Sequence, residues 1–117
     1  MADLEIVTKN LDAKATLMEL KGFLDAHTFE KLDQAVSAYV AKPPCRLIVD
    51  LSQVGYIGSA GAGVFIGALG KARDGQGDIV FLKPSVPVQE VLDLLGLSQI
   101  FHVASTLPEA QKFFQTA

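Results

Sequence analysis

The sequence has few side chains that could hold a metal ion. Its single cysteine is Cys45, and its two histidines, His27 and His102, are widely separated. Zinc sites in proteins use three or four such ligands at short, characteristic spacings, and this sequence contains no such group. We therefore predict neither a metal nor any other cofactor. A lone cysteine also cannot form an internal disulfide, which is typical of a reducing compartment.

Two catalytic motifs are nearly present but incomplete. A P-loop requires serine or threonine after Gly-Lys, and here Ala72 follows Lys71. The nucleophile elbow of a hydrolase requires Gly-x-Ser-x-Gly, in which Ser59 and Gly61 would fit, but Ile57 occupies the first glycine position. A small hydrolase that uses Ser59 is therefore a distant hypothesis, and we predict that the chain is not an enzyme.

Ser59 is nevertheless the polar side chain with the most informative position, because it follows a predicted buried strand and begins a predicted helix. A serine at this place is typical of a helix N-cap. It is also suited to carry a regulatory phosphate, since free amides and the helix dipole stabilise an anion there. Positions 51–70 contain no charged residue, so the charge of about −1.5 to −2 that a phosphate adds would be a large local change. Both interpretations can hold together.

The same uncharged segment is rich in glycine, which argues against a lipid-facing helix despite its length. Gly61 and Gly63 would leave the first turn of the helix unobstructed. The helical period predicts an apolar face made of Val64, Phe65, Ala68, Leu69 and Ala72. Gly63, Gly67 and Gly70 lie nearly opposite, where each costs up to about 1 kcal/mol relative to alanine. Either the backbone of another protein approaches this strip, or another element of the same domain packs closely on it.

The hydrophobic pattern predicts the elements that position Ser59. Alternation over 2–9 and 15–21 indicates two strands, joined by a turn at 10–13, that pair antiparallel. A helix from about residue 26, with Thr28 or Asp25 as a possible cap, ends before the prolines at 43 and 44. The remaining predicted strands are 46–51, 79–82 and 100–103, with a loop or short strand at 54–57. The remaining predicted helices are 59–73, one that starts at 84–87 and ends at a Gly96 cap, and 107–115.

This order predicts an α/β fold, in which a mixed sheet begins with an antiparallel hairpin and is packed with about four helices. A length of 117 residues is typical of one domain, covering 1–117. The net charge of −3 argues against direct binding to nucleic acid. No secretory signal is recognisable at the N-terminus, so we expect a cytoplasmic protein that does not insert into membranes.

Three segments of the chain resemble the STAS domain of bacterial anti-sigma factor antagonists, and the similarity spans nearly the whole chain. The segments are 19–25 (Glu-Leu-Lys-Gly-Phe-Leu-Asp), 48–61 (Ile-Val-Asp-Leu-Ser-Gln-Val-Gly-Tyr-Ile-Gly-Ser-Ala-Gly) and 96–101 (Gly-Leu-Ser-Gln-Ile-Phe). The middle segment is the most specific of the three. The resemblance implies a mixed sheet packed with helices.

The resemblance also implies a phosphorylation switch. In that family, an Asp-Ser-Ser/Thr-Gly motif begins the second helix, and the anti-sigma factor, a serine kinase, phosphorylates the first serine. The unphosphorylated form binds this partner and frees the sigma factor, and a serine phosphatase resets the switch. Carried over to this chain, the resemblance makes Ser59 the phosphorylated residue and Gly61 the motif glycine. The partner-binding residues would be Asp25, Gly58, Ser59, Ala60, Gly61, Gly63 and Gly67.

The chain departs from the family motif at two positions, because Gly58 replaces the aspartate and Ala60 replaces the second hydroxyl residue. These departures favour an alternative hypothesis. The chain could be a constitutive STAS adaptor, for example the cytosolic subunit of a lipid-transport ATPase, that is not switched by phosphorylation.

Overall fold

The computed structural model describes residues 3–11 and 15–114, which form a five-stranded sheet and four α-helices. Along the chain the elements are β1 (Leu4–Asn10), β2 (Thr16–Leu24), α1 (Phe29–Val40), β3 (Arg46–Ile57), α2 (Ser59–Asp74), β4 (Asp78–Leu82), α3 (Val86–Leu94), β5 (His102–Ala104) and α4 (Leu107–Lys112). A short 3-10 turn, Leu97–Gln99, lies between α3 and β5.

The strands lie in the sheet in chain order, β1-β2-β3-β4-β5. Strand β1 pairs antiparallel with β2, and every later neighbour pairs parallel. A short connection is sufficient for the antiparallel pair, whereas parallel neighbours need the longer crossovers that α1, α2 and α3 provide. The predicted mixed α/β sheet is therefore confirmed.

Strand β3 is buried on both faces of the sheet, which explains its continuous apolar run. Leu47 and Val49 point into the larger core, while Ile48 points into a smaller one on the opposite face. Buried residues of α1, α2 and α3 complete the larger core, and Ala110 of α4 belongs to the smaller one. Helix α2 is therefore fixed along one side to the sheet.

The central strands are longer than their sequence pattern predicts. Strand β3 continues without a break to Ile57, so of the two alternatives at 54–57, a loop or a short strand, the strand is correct and is continuous with 46–51. Its second half has two exposed residues between successive buried ones, because the pairing with β2 contains register irregularities. Strand β2 likewise continues past Gly22 to Leu24, and Gly22 has φ of +129°, a conformation that favours glycine. The expected strand end at Gly22 is therefore wrong.

The remaining boundaries agree closely with the predictions, with two exceptions. The last strand lies at His102–Ala104 rather than 100–103, because Gly96 in a left-handed conformation and the 3-10 turn occupy the preceding residues. Helix α3 begins at Val86, after Ser85 as its N-cap, within the predicted start at 84–87. The last helix ends at Lys112, before the predicted end at 115. Residue 115, and residues 12 and 13 of the predicted turn, lie outside the described residues. None of the helices described has the length and apolar character of a membrane span.

Candidate functional site

Ser59 is the first residue of α2 and lies where β3 ends. The residue before it, Gly58, is the N-cap in an extended conformation, with φ of −102° and ψ of −178°. The Gly58 N–H donates to the Leu24 carbonyl at 2.8 Å, which ties this turn to the end of β2, and the Ala62 N–H donates to the Gly58 carbonyl at 2.9 Å. The expectation that Ser59 caps the helix is therefore wrong. Its side chain is exposed, and the described residues offer its hydroxyl no hydrogen bond.

Gly61 allows α2 to pack closely on the end of β2. It is buried, and a Cβ atom added there would lie 2.8 Å from the Leu24 Cβ and 3.0 Å from the Leu24 carbonyl oxygen. Because Gly61 lies beneath the surface, it cannot be the direct partner contact that the resemblance suggested. Its effect on the site is to set the position of the first turn of α2, and with it that of Ser59.

The other glycines of α2 lie on its outer side. Gly63, Gly67 and Gly70 are exposed, and a Cβ added at any of them would have no heavy atom within 4 Å. Close packing of another element on this strip is therefore excluded for the part of the chain described. Four residues of the predicted apolar face, Phe65, Ala68, Leu69 and Ala72, are buried, and Val64 is half-buried.

A shallow depression between α1 and α2 adjoins Ser59. It has a volume of about 330 Å³ and is lined by Phe29, Asp33, Ser59, Ala60, Gly63 and Val64. Asp33 is the charged residue of this set. Its exposed carboxylate accepts one long hydrogen bond, 3.4 Å from the Ser37 hydroxyl, and forms no ion pair with the described residues. The sequence does not indicate that Asp33 lies beside Ser59, because the contact depends on how two helices pack.

Asp25 holds the turn that leads into α1. One of its carboxylate oxygens accepts hydrogen bonds from the backbone N–H groups of His27, at 2.8 Å, and Thr28, at 3.2 Å. The Thr28 hydroxyl donates to the Phe23 carbonyl at 2.7 Å. Of the two predicted caps, Thr28 holds the N-cap position of α1, without a side-chain cap hydrogen bond, and Asp25 stabilises the turn before it. Since Asp25 follows Leu24, whose carbonyl binds the Gly58 N–H, the turn and the start of α2 are held together.

Two aromatic residues that the sequence analysis did not single out flank the same turn. Phe23 and Tyr56 are register partners across β2 and β3, with 43% and 50% of their surface exposed. The Tyr56 ring covers Gly58, since a Cβ added there would lie 3.0 Å from the Tyr56 hydroxyl. Their neighbours Leu24 and Ile57 are core residues. No simple alternation in the sequence would place Phe23 and Tyr56 outside, because the pairing of β2 with β3 is irregular here.

Neither histidine belongs to a metal site in the part of the chain described, where no cluster of three or more suitable ligands occurs. The imidazole of His102 lies 3.4 Å from the Asp78 carboxylate and stacks on Phe113, with ring centroids 4.2 Å apart. Burial, and to a lesser degree the charge of Asp78, raise the pKa of the Cys45 thiol to about 11. Cys45 is therefore a neutral thiol near pH 7 and a poor nucleophile.

The amino-acid sequence of this chain is similar to those of known proteins. Residues 6–110 match the model of the STAS domain. The anti-sigma-B factor antagonist of Listeria monocytogenes is 31% identical over 101 residues, which are 86% of this chain and 89% of that protein. The similarity therefore covers the sheet, the helices α1 to α3 and the turn that carries Ser59.

Two solved structures have the same architecture. An anti-sigma factor antagonist from Mycobacterium paratuberculosis has a TM-score of 0.86 at 24% identity, covering 97% of this chain and 96% of that one. SpoIIAA from Bacillus, solved in its phosphorylated form, has a TM-score of 0.71 at 19% identity, covering 95% and 100%. At these identities the two structures establish a shared fold.

Proposed function

The chain belongs to the STAS domain family of bacterial anti-sigma factor antagonists, and we propose that it binds an anti-sigma factor in the cytoplasm and is switched by a phosphate on Ser59. The single observation that carries this proposal is the position of Ser59. Its hydroxyl is exposed and unbonded to described residues at the first position of a 16-residue helix, within a segment, 51–70, that contains no charged residue. The solved phosphorylated form of SpoIIAA supports the same kind of switch.

The chemistry requires ATP as the phosphoryl donor and a kinase to position it, and no described residue hydrogen-bonds the Ser59 hydroxyl to act as its base. In the transfer, the Ser59 oxygen attacks the γ-phosphorus of ATP, an O–P bond forms, and the bond from that phosphorus to ADP breaks. The hydroxyl proton passes to a group of the kinase or to solvent. The anti-sigma factor itself is the proposed kinase. A serine phosphatase reverses the step with water, which returns the hydroxyl and releases inorganic phosphate.

The docking surface that we propose consists of Ser59, Ala60, Gly63 and Gly67 on α2, with Gly58 and Asp25 beside its first turn. Its exposed glycines leave room for a partner backbone to approach α2 closely, since no described residue lies over them. Gly61 acts from below by fixing the helix to Leu24. A phosphate at Ser59 adds a charge of about −1.5 to −2 to the start of α2, which has no charged residue before Lys71, and it must lose its hydration wherever the partner covers it. Binding of the phosphorylated form is therefore weakened.

The proposal can be tested with the anti-sigma factor kinase encoded nearest to this gene, produced as a purified protein. Incubation with ATP should add one phosphate, which intact-protein and peptide mass spectrometry should locate at Ser59. Ser59→Ala should abolish the modification, whereas Ser52→Ala, which removes an exposed serine of the same uncharged segment, should not. Calorimetry should show that the unmodified chain binds the kinase and that phosphorylation or Ser59→Asp weakens this binding by at least about tenfold.

A constitutive adaptor is the second candidate, and the specific observation that favours it is the loss of two motif side chains at Gly58 and Ala60. An adaptor would remain unmodified in the kinase assay, and Ser59→Asp would bind its partner as well as the wild type does. Co-purification with transporter subunits, in place of a kinase, would then identify the alternative. Either result would contradict the proposed switch.

A further inference from the structure

Asp33 is the charged group that shares the depression with Ser59. Its carboxylate is exposed, forms no ion pair with the described residues, and accepts only the long hydrogen bond from Ser37. The other charges nearby are engaged or directed elsewhere. The Asp25 carboxylate binds the turn before α1, the Lys31 ammonium binds the Leu4 carbonyl, and Glu30 is absent from the lining of the depression.

We propose that Asp33 is a positioning residue for the Ser59 phosphate, because its negative charge keeps the phosphate out of the depression between α1 and α2. This inference rests on the proposed function but can fail separately from it. Without Asp33, the phosphate could turn between the two helices, where Phe29, Gly63 and Val64 line the depression. With Asp33 in place, the phosphate stays above the depression and away from α1.

The expected strength of the effect follows from the position of the two side chains and from the solvent around them. Asp33 and Ser59 line the same depression, so we take the separation of their charges as on the order of the Debye length, about 8 Å at physiological salt. Solvent surrounds both, so the interaction is that of charges in a medium close to water. The second pKa of a phosphoserine lies near 6, and a carboxylate at that distance raises it by about 0.3 to 0.4 units at low salt.

The test is a phosphorus NMR titration of the full chain with phosphoserine incorporated genetically at position 59, which does not depend on any kinase. Asp33→Asn should lower the second pKa of the phosphate by about 0.3 units at low salt, and the difference should shrink in 1 M salt. Asp33→Glu keeps the charge and should restore the wild-type value. Asp74→Asn is the matched control, since it removes an exposed carboxylate at the other end of α2, about 22 Å away along the helix.

A second measurement is needed to show whether the phosphate enters the depression. In proton–nitrogen spectra, phosphorylation of the Asp33→Asn variant should shift the amide signals of Gly63 and Val64 more than it does in the wild type, because the phosphate can then enter the depression. Equal phosphate pKa values for the wild type and Asp33→Asn, or equal shifts at these two amides, would overturn the proposal. Failure of the kinase to modify Ser59 would instead contradict the proposed function and leave this measurement intact.

Discussion

The two ends of α2 differ in how their polar groups are satisfied. At the C-terminal end, the Arg73 guanidinium donates to the Asp78 carboxylate at 3.2 Å and to the Ile100 carbonyl at 2.8 Å, and His102 lies on the other oxygen of Asp78. At the N-terminal end, the cap is a glycine and the Ser59 hydroxyl is unbonded to described residues. The C-terminal end, which is bound to the next strand, is the anchored end of α2. The N-terminal end, which presents unbonded polar groups to solvent, is its open end.

The two ends of α2 therefore differ in role: the C-terminal end holds the helix in place, and the N-terminal end is available for binding. The groups around Asp78 bind each other and hold α2 to the sheet, so they need no partner to explain them. The groups around Ser59 are left open although they stand on a rigid strand and helix, which is the arrangement expected of a recognition site. Gly61 explains how the open end can be both rigid and exposed. Its close packing on Leu24 fixes the first turn of α2 and leaves Ser59 uncovered.

The largest effect should separate two neighbouring glycines of the open end. Gly61→Ala should lower the free energy of unfolding by about 2 kcal/mol, because the new methyl group would lie 2.8 Å from the Leu24 Cβ and the helix must shift. Gly63→Ala has no such neighbour and should be neutral or stabilising by up to about 1 kcal/mol. Urea unfolding of both variants measures the difference. Equal stabilities would refute the claim that the close approach of Gly61 to Leu24 sets the position of the helix.

A second effect should appear at the anchored end, where Cys45 is buried and its carbonyl accepts the Asp78 N–H at 2.8 Å. The pKa of this thiol is about 11 in the folded chain, against 9.0 as the ordinary value. Between these values the unfolded chain loses the proton first, so stability should fall with rising pH by up to about 1.4 kcal/mol per unit. Unfolding midpoints at pH 8 to 11 measure this slope. Cys45→Ala should reduce the slope, and an unchanged slope would show that other groups cause it.

A third prediction concerns binding. Gly67→Leu should weaken binding to the anti-sigma factor by at least about tenfold, or 1.4 kcal/mol, because a bulky side chain would hold the partner away from α2. Its free energy of unfolding should stay equal or rise, since the site is open and leucine has the higher helix propensity. Gly70→Leu makes the same change one turn nearer the anchored end and should alter the affinity less. Unchanged affinity for Gly67→Leu would remove Gly67 from the docking surface.

The sequence predicts the open end of α2 better than it predicts the strands that support it. The start of α2 at residue 59 and its buried face follow from the period of its apolar residues, which is a local property. The second half of β3 does not follow, because irregular pairing with β2 breaks the alternation after Leu51. The contact of Gly61 with Leu24, and the position of Asp33 beside Ser59, join residues distant in sequence. Such contacts depend on packing and leave no local pattern.

The smallest expected effect concerns Gly58, where the family motif has an aspartate. Gly58→Asp should stabilise the chain by a few tenths of a kcal/mol, because an aspartate at an N-cap accepts an amide hydrogen bond and its charge suits the helix N-terminus. The backbone at Gly58 is extended, so it accepts any residue. The Tyr56 ring, which would lie 3.0 Å from the new Cβ, is half exposed and can move aside.

The pH dependence of the stability of Gly58→Asp distinguishes capping by the carboxylate from the loss of backbone freedom that any replacement of glycine causes. A capping carboxylate has a lowered pKa in the folded state, so its contribution should be present above about pH 4 and be lost as the pH falls through the folded value. Gly58→Asn caps without a charge and should show no such loss. Stability that is equal for the two variants from pH 2 to 7 would contradict the electrostatic part of the argument. Faster phosphorylation of Gly58→Asp than of Gly58→Asn would show, in addition, that the kinase reads the carboxylate itself.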